Sequence, residues 1–172
     1  MNPSELTLRR DINRTLLLAG KTTKAEQRTR ETLAMDSTSA RTRMLLGQTL
    51  LVEGKNNEAV QELEHSQRRL PTTRGAAFLA GAYFRVNREK DARRLVDSML
   101  TVSNRTFVPA MDLAIAYAGL RDKDQTLSWL EQAYDDRTLR PFIRDQVFTF
   151  VRAEPRFRAL IAKMKLPPVN CC

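Results

Sequence analysis

The side chains in this chain best equipped for chemistry are its arginines. Arg10, Arg14, Arg41, Arg74 and Arg85 recur through the first half, with Met44 and Gln48 a few residues beyond Arg41. A guanidinium presents a planar fork of donors that matches a carboxylate or a phosphate, and a methionine adds adaptable apolar contact. Together they suit recognition of a group that carries both negative charge and apolar surface. Bond-making chemistry has no comparable candidates. His65 has no serine, cysteine or carboxylate constellation around it and reads as a surface residue on a helix. The six glycines are isolated rather than grouped into a phosphate loop. Asp135 and Asp136 fall at a helix end, where solvation explains a carboxylate pair. The two cysteines, Cys171 and Cys172, are adjacent and terminal; they staple no core, and with His65 they make too few ligands for zinc. The expectation is a non-enzyme with no cofactor and no metal site.

Net charge points to the partner. Twenty-nine lysines and arginines against twenty aspartates and glutamates leave +9 and an isoelectric point near 10.1. Acidic partners are therefore attracted, over a few Debye lengths at most. With 172 residues, 42% hydrophobic and 28% charged, the composition is that of a soluble single domain. No apolar run approaches the ~20 residues that span a bilayer. Met1-Asn2-Pro3-Ser4-Glu5 lacks the basic, apolar and small-residue succession of a signal peptide, so a cytoplasmic location is expected.

The elements that must position these arginines are helices in a repeating register. Segments such as Ala76 to Phe84 and Ala92 to Leu100 place apolar residues three and four apart, the spacing of a helix with one buried face, and strand alternation is absent. Breakers at Gly54 to Asn57, Leu70 to Thr73, Val86 to Arg88 and Arg121 to Asp124 limit each helix to roughly a dozen residues. A small-large-small pattern recurs at intervals of 34, 33 and 34 residues. From Ala40 it runs Leu46-Gly47, Leu50, Gly54, Ala59, Leu63, Ser66 and Pro71. From Thr73 it gives Leu79-Ala80, Tyr83, Ala92, Val96 and Met99. From Phe107 it gives Leu113-Ala114, Tyr117, Thr126, Leu130 and Ala133, and a fainter copy from Leu6 has Ile12-Asn13, Leu16, Gly20 and Ala25. Two short helices cannot bury their apolar faces alone, so neighbouring units must stack.

These residues resemble the tetratricopeptide repeat, a helix-turn-helix unit with Leu-Gly, an aromatic, Ala, a large apolar residue and Pro at these spacings. The resemblance covers Leu6 to Arg137 and departs from the pattern at Asn13, at Arg88 and Lys90 where a turn glycine is usual, and at Thr126. It implies an all-α, right-handed α-solenoid whose concave groove is lined by the first helix of each pair. The expected organisation is one domain over residues 1–166, with repeats near 6–39, 40–72, 73–106 and 107–140 and a cap over 141–166. Val147, Phe148, Phe150, Val151, Phe157, Leu160, Ile161 and Met164 would cover the exposed face of the fourth repeat with one or two helices. The stretch 167–172, opened by Pro167-Pro168, reads as a flexible tail. A terminal cysteine pair also marks prenylated small GTPases, which nothing else here resembles. Ala153 to Leu160, with Ala114 to Asp124 and Trp129 to Tyr134, is similar to the C-terminal repeat regions of large bacterial regulators, over about a third of the chain.

Placing the first helices around a groove brings Arg10, Arg14, Arg41, Met44, Gln48, Arg74, Arg85 and Met111 toward one surface, with Leu51 and Phe84 at its inner edge. The expected function is a protein-interaction scaffold that takes an acidic, partly apolar peptide there. Reversing Arg41 and Arg74 together to Glu should abolish binding and leave unfolding nearly unchanged. The carboxylate clamp of tetratricopeptide co-chaperones is not reproduced, because the matching places carry Arg10, Arg14, Leu45, Arg74 and Phe78 and both asparagines are replaced. Two alternatives stand beside the peptide groove. One is nucleic-acid binding, against which basic residues such as Arg68-Arg69 and Arg93-Arg94 are spread over second helices with few aromatics to stack bases. The other is self-association through the apolar ends of the solenoid.

Overall fold

The computed structural model describes residues 3–139 and 142–166. The expectations for Cys171, Cys172 and the tail 167–172 lie outside the described residues. Among those residues run four helix pairs: α1 (Pro3–Leu18) with α2 (Thr22–Met35), α3 (Ala40–Val52) with α4 (Asn56–Arg69), α5 (Thr73–Arg85) with α6 (Glu89–Ser103), and α7 (Ala110–Gly119) with α8 (Lys123–Asp135). Two 3₁₀ helices, Phe142–Arg144 and Gln146–Val151, lead into a last helix, α9 (Pro155–Lys163). Starts are marked by side-chain caps that occupy a free N–H of the first turn: Ser39 accepts from Thr42, Thr72 from Gly75 and Asp122 from Gln125.

Each pair turns through one residue in the left-handed region. Gly20 (φ 74°), Gly54 (φ 76°), Asn87 (φ 61°) and Arg121 (φ 61°) hold equivalent places. The register of the sequence pattern thus reappears in the backbone. The third turn places its left-handed residue at Asn87, one position before the Arg88 at which the missing glycine was expected. Asparagine is the side chain that tolerates this conformation next best after glycine.

Packing follows the apolar stripes. Ala59, Leu63 and Ser66 of α4, Ala92, Val96 and Met99 of α6, and Thr126, Leu130 and Ala133 of α8 are buried at helical spacing. Helix α7 is apolar nearly all round and is buried nearly all round. One cluster of buried side chains runs from Leu46 to Ile161, while Leu17, Ala25 and Leu45 form a small separate one under the first pair. The polar residues of that pair satisfy one another: Asn13 Nδ2 donates to Thr32 Oγ1 at 3.1 Å, and the Thr29 and Thr32 hydroxyls donate to the carbonyls of Ala25 and Arg28. Ile12 stands where Leu46 stands in the second pair, yet it is 41% exposed, facing out from the end of the stack with Leu8 and Met35.

First helices are not evenly spaced. α5 and α7 pack along their length, whereas α1, α3 and α5 touch one another only locally. Gly81 and Gly119 permit the close crossing: a Cβ on Gly119 would lie 2.5 Å from the Gly81 Cα. The C-terminal segment covers the fourth pair with a capping helix and, before it, a strap. α9 packs on α8 through buried Phe157, Leu160 and Ile161, pinned by the Arg156–Glu131 (2.7 Å) and Lys123–Glu154 (2.7 Å) ion pairs. Residues 145–149 turn onto the inner side of the first helices. Phe148 and Val151 are fully buried, and their apolar surface draws this strap against α7.

Candidate functional site

The open part of the groove is a trough of about 280 Å³ between α1, α3, the end of α4 and α5. Arg10, Arg14, Arg41, Met44, Gln48 and Arg74 all line it. Asp11 is the carboxylate among them. The seventh expected residue, Arg85, lies apart. It lines a second cavity of about 200 Å³ at the other end of α3 and α5, where its Nη1 donates to the Leu51 carbonyl. The strap lines this second cavity through Asp145, Gln146, Val147 and Thr149. Gln146 Nε2 donates to the Leu17 carbonyl at 3.3 Å, and Asp145 accepts from the Val147 N–H at 3.2 Å. Leu51 lines the inner cavity, but Phe84 lines neither, and Met111, 0% exposed, belongs to the core.

The arginines of the trough are not equivalent. Arg74 donates from Nε to Asp112 Oδ1 on α7, and Thr73 donates its hydroxyl to the other oxygen of the same carboxylate. Asp112 is 3% exposed, so Arg74 and Thr73 neutralise and solvate a charge inside the protein. Arg14 is held below the usual arginine range by burial and by neighbouring Arg74, with Asp145 and Asp11 opposing the effect. Asp145 is held above the usual carboxylate range by burial, offset in part by the Val147 N–H and by Arg14 and Arg74. Arg10 donates Nη2 to Thr7 at 2.9 Å. Arg41 is exposed and forms no ion pair among the described residues. Gln48 is only 5% exposed, lines both cavities and makes no hydrogen bond to a described residue. Its amide nitrogen and oxygen reach the accessible space of the cavities, where they are open to a ligand or to water.

Sequence reasoning missed Asp112, the strap residues Asp145 and Gln146, and Arg121. Asp112 had a signal: it is the one charge in Ala110-Met111-Asp112-Leu113-Ala114-Ile115, and a carboxylate in so apolar a helix requires a cationic partner. The strap had none, because alternation and helical spacing describe an element's own face and not where that element docks. Among the described residues no group of three or more His, Cys, Asp and Glu side chains is arranged to hold a metal ion, and no helix is long and apolar enough to cross a membrane.

No family model matches the chain, and no curated protein matches it. The structure is similar to the crystal structure of a tetratricopeptide repeat protein from Parabacteroides merdae, with a TM-score of 0.54 and 15% sequence identity over 98% of this chain and 68% of that one. The fold is a tetratricopeptide-like helical solenoid.

Proposed function

We propose that this chain is a non-catalytic protein-interaction module that binds an acidic, partly apolar segment of a partner protein in the trough between α1, α3 and α5. One observation carries the reading: Arg10, Arg14 and Arg41 converge on a single concavity beside Met44 and Gln48, which bonds to no described residue. Arg41 and Arg10, the least engaged of these, take the partner's carboxylates, Gln48 takes a backbone group and Met44 packs on an apolar side chain. Arg74 acts behind them as the support of α5 on α7. A trough of 280 Å³ admits one or two side chains rather than a long strand. Nucleic acid is disfavoured as the partner because second-helix arginines that would extend a basic surface are already engaged: Arg68 with Glu64, Arg93 with Glu89 and Arg94 with Asp91. The likeness of the C-terminal part to repeat regions of bacterial regulators makes a cytoplasmic regulator the proposed context.

The test is affinity capture from native lysate, with and without nuclease, comparing wild type with Arg10→Glu, Arg41→Glu by mass spectrometry. A protein captured by wild type in both conditions, and reduced at least tenfold by the variant, is the expected result. Capture of the same set by the variant would place the interface elsewhere, and capture that vanishes with nuclease would favour nucleic acid.

A further inference from the structure

The inner cavity has features the trough does not explain. Its walls are apolar where α1, α3, α5 and α7 face it, through Leu17, Leu51, Phe78 and Ile115, and the strap closes one side with Val147. Two guanidinium groups, Arg85 and Arg121, also line it. They come together because the Gly81–Gly119 contact presses the C-terminal ends of α5 and α7 against each other. Neither has a carboxylate partner among the described residues: Arg85 donates to the Leu51 carbonyl, and Arg121 lies over the Phe150 ring at 4.9 Å. Each keeps most of its five N–H donors for another acceptor. Burial first, and the adjacent Arg121 second, hold Arg85 below the usual arginine range. Asp145, the one carboxylate that lines it among the described residues, faces Arg14 and Arg74 from the trough side. Gln48, which makes no hydrogen bond to a described residue, also lines this cavity.

We propose that this cavity is a second binding site, separate from the trough, for a small carboxylate carried on an apolar group, with Arg85 and Arg121 holding the carboxylate and Leu17, Leu51, Phe78 and Ile115 enclosing the tail. A volume of about 200 Å³ equals that of roughly seven waters, which limits the ligand to about ten non-hydrogen atoms. That chemistry belongs equally to a free medium-chain acid and to the C-terminal Leu of a polypeptide. The assignment does not depend on the trough: the two sites share Gln48, but Arg85, Arg121 and the apolar walls that define this one do not line the trough.

Octanoate and the peptide acetyl-Gly-Gly-Leu, with a free or an amidated C-terminus, serve as probes in a calorimetric titration followed by amide chemical shifts. Saturable binding of octanoate or of the free-acid peptide is expected, weakened at least tenfold for 1-octanol, acetate and the amidated peptide. Arg121→Gly removes one guanidinium at a left-handed position that glycine accepts without strain (φ 61°), so the variant stays folded. It should weaken binding ten- to a hundredfold, the range of one charge-assisted hydrogen bond, while Arg121→Lys recovers part of the loss and Arg41→Glu, whatever it does to the trough, leaves the affinity for these probes as it was. Which probe binds tells a free acid from a chain end. The site is overturned if neither probe saturates, if Arg121→Gly binds as wild type does, or if Arg41→Glu weakens binding as much as Arg121→Gly.

Discussion

Glu26 joins the first two helix pairs through a single carboxylate. It accepts from Lys55 Nζ at 2.7 Å and from Arg30 at 2.9 Å, and Arg30 reaches on to Glu58 while Lys55 also meets Glu53. Those contacts, the Lys55 hydrogen bond foremost, bring the carboxyl from 4.5 down to about 2. A depressed carboxylate stabilises the fold above its unfolded value and loses that contribution as the pH falls through its folded one. The stability difference between wild type and Glu26→Gln is therefore expected to be full above pH 4.5, on the order of 2 kcal/mol after screening of the half-exposed partners, and gone near pH 2. Urea titrations at several pH values check this, and a difference that stayed constant with pH would contradict it. Arg74 makes the same point about partners. Because it neutralises buried Asp112, Arg74→Glu is expected to destabilise by roughly 3 kcal/mol or more, against less than about 0.5 kcal/mol for Arg41→Glu at the surface. The reversal of Arg41 and Arg74 together therefore cannot leave unfolding unchanged, as the sequence led one to expect. Denaturant midpoints of the two single variants separate the roles, and equal midpoints would mean that the Asp112 pair contributes nothing.

At the scale of elements, helix pairs were legible and their mutual approach was not. Apolar stripes on α4, α6 and α8 and breakers at the turns specify amphipathic helices of the observed length, because helical periodicity is a local property of the chain. How closely two helices cross depends on which residue of each meets the other. Gly81 and Gly119 read as isolated glycines until the fold puts their backbones in contact. Gly119→Ala drives a methyl into the Gly81 backbone, which cannot give way as a flexible side chain would. The expected cost is about 1–3 kcal/mol, read by thermal denaturation, whereas Gly54→Ala meets no atom within 4 Å and suffers only the strain of its left-handed backbone. A smaller loss at Gly119 than at Gly54 would show that α5 and α7 separate at little cost.

Across the whole molecule, stability is expected to be graded. The large cluster knits α3 to α9 together, but the first pair rests on Leu17, Ala25 and Leu45 and on a polar interior of Asn13, Thr29 and Thr32. In a stacked array each unit is supported by its own core and by its neighbours, so the unit with the smallest apolar interior opens first. Native-state hydrogen exchange should find α1 and α2 the least protected helix pair and α5 and α7 the most protected helices. Equal protection throughout would mean that the Glu26 network and the strap's bond to Leu17 couple the first pair fully to the rest. The strap matters at this scale because it joins residues 129 positions apart, Gln146 to Leu17, across the groove.

The sequence by itself determined the helices, their pairing, the period of the array and the arginine-rich face of the trough. All of these follow from residue spacing along one chain, which short-range sterics and the burial of apolar stripes convert directly into structure. Only the tertiary structure decided which arginines are engaged and how the groove is divided. Arg74 is bound to a carboxylate 38 positions away, and the inner cavity is walled on one side by a strap whose position depends on where Phe148 and Val151 find apolar surface. Those are long-range outcomes of packing, set by the shape of the assembled first helices and absent from the period that built them.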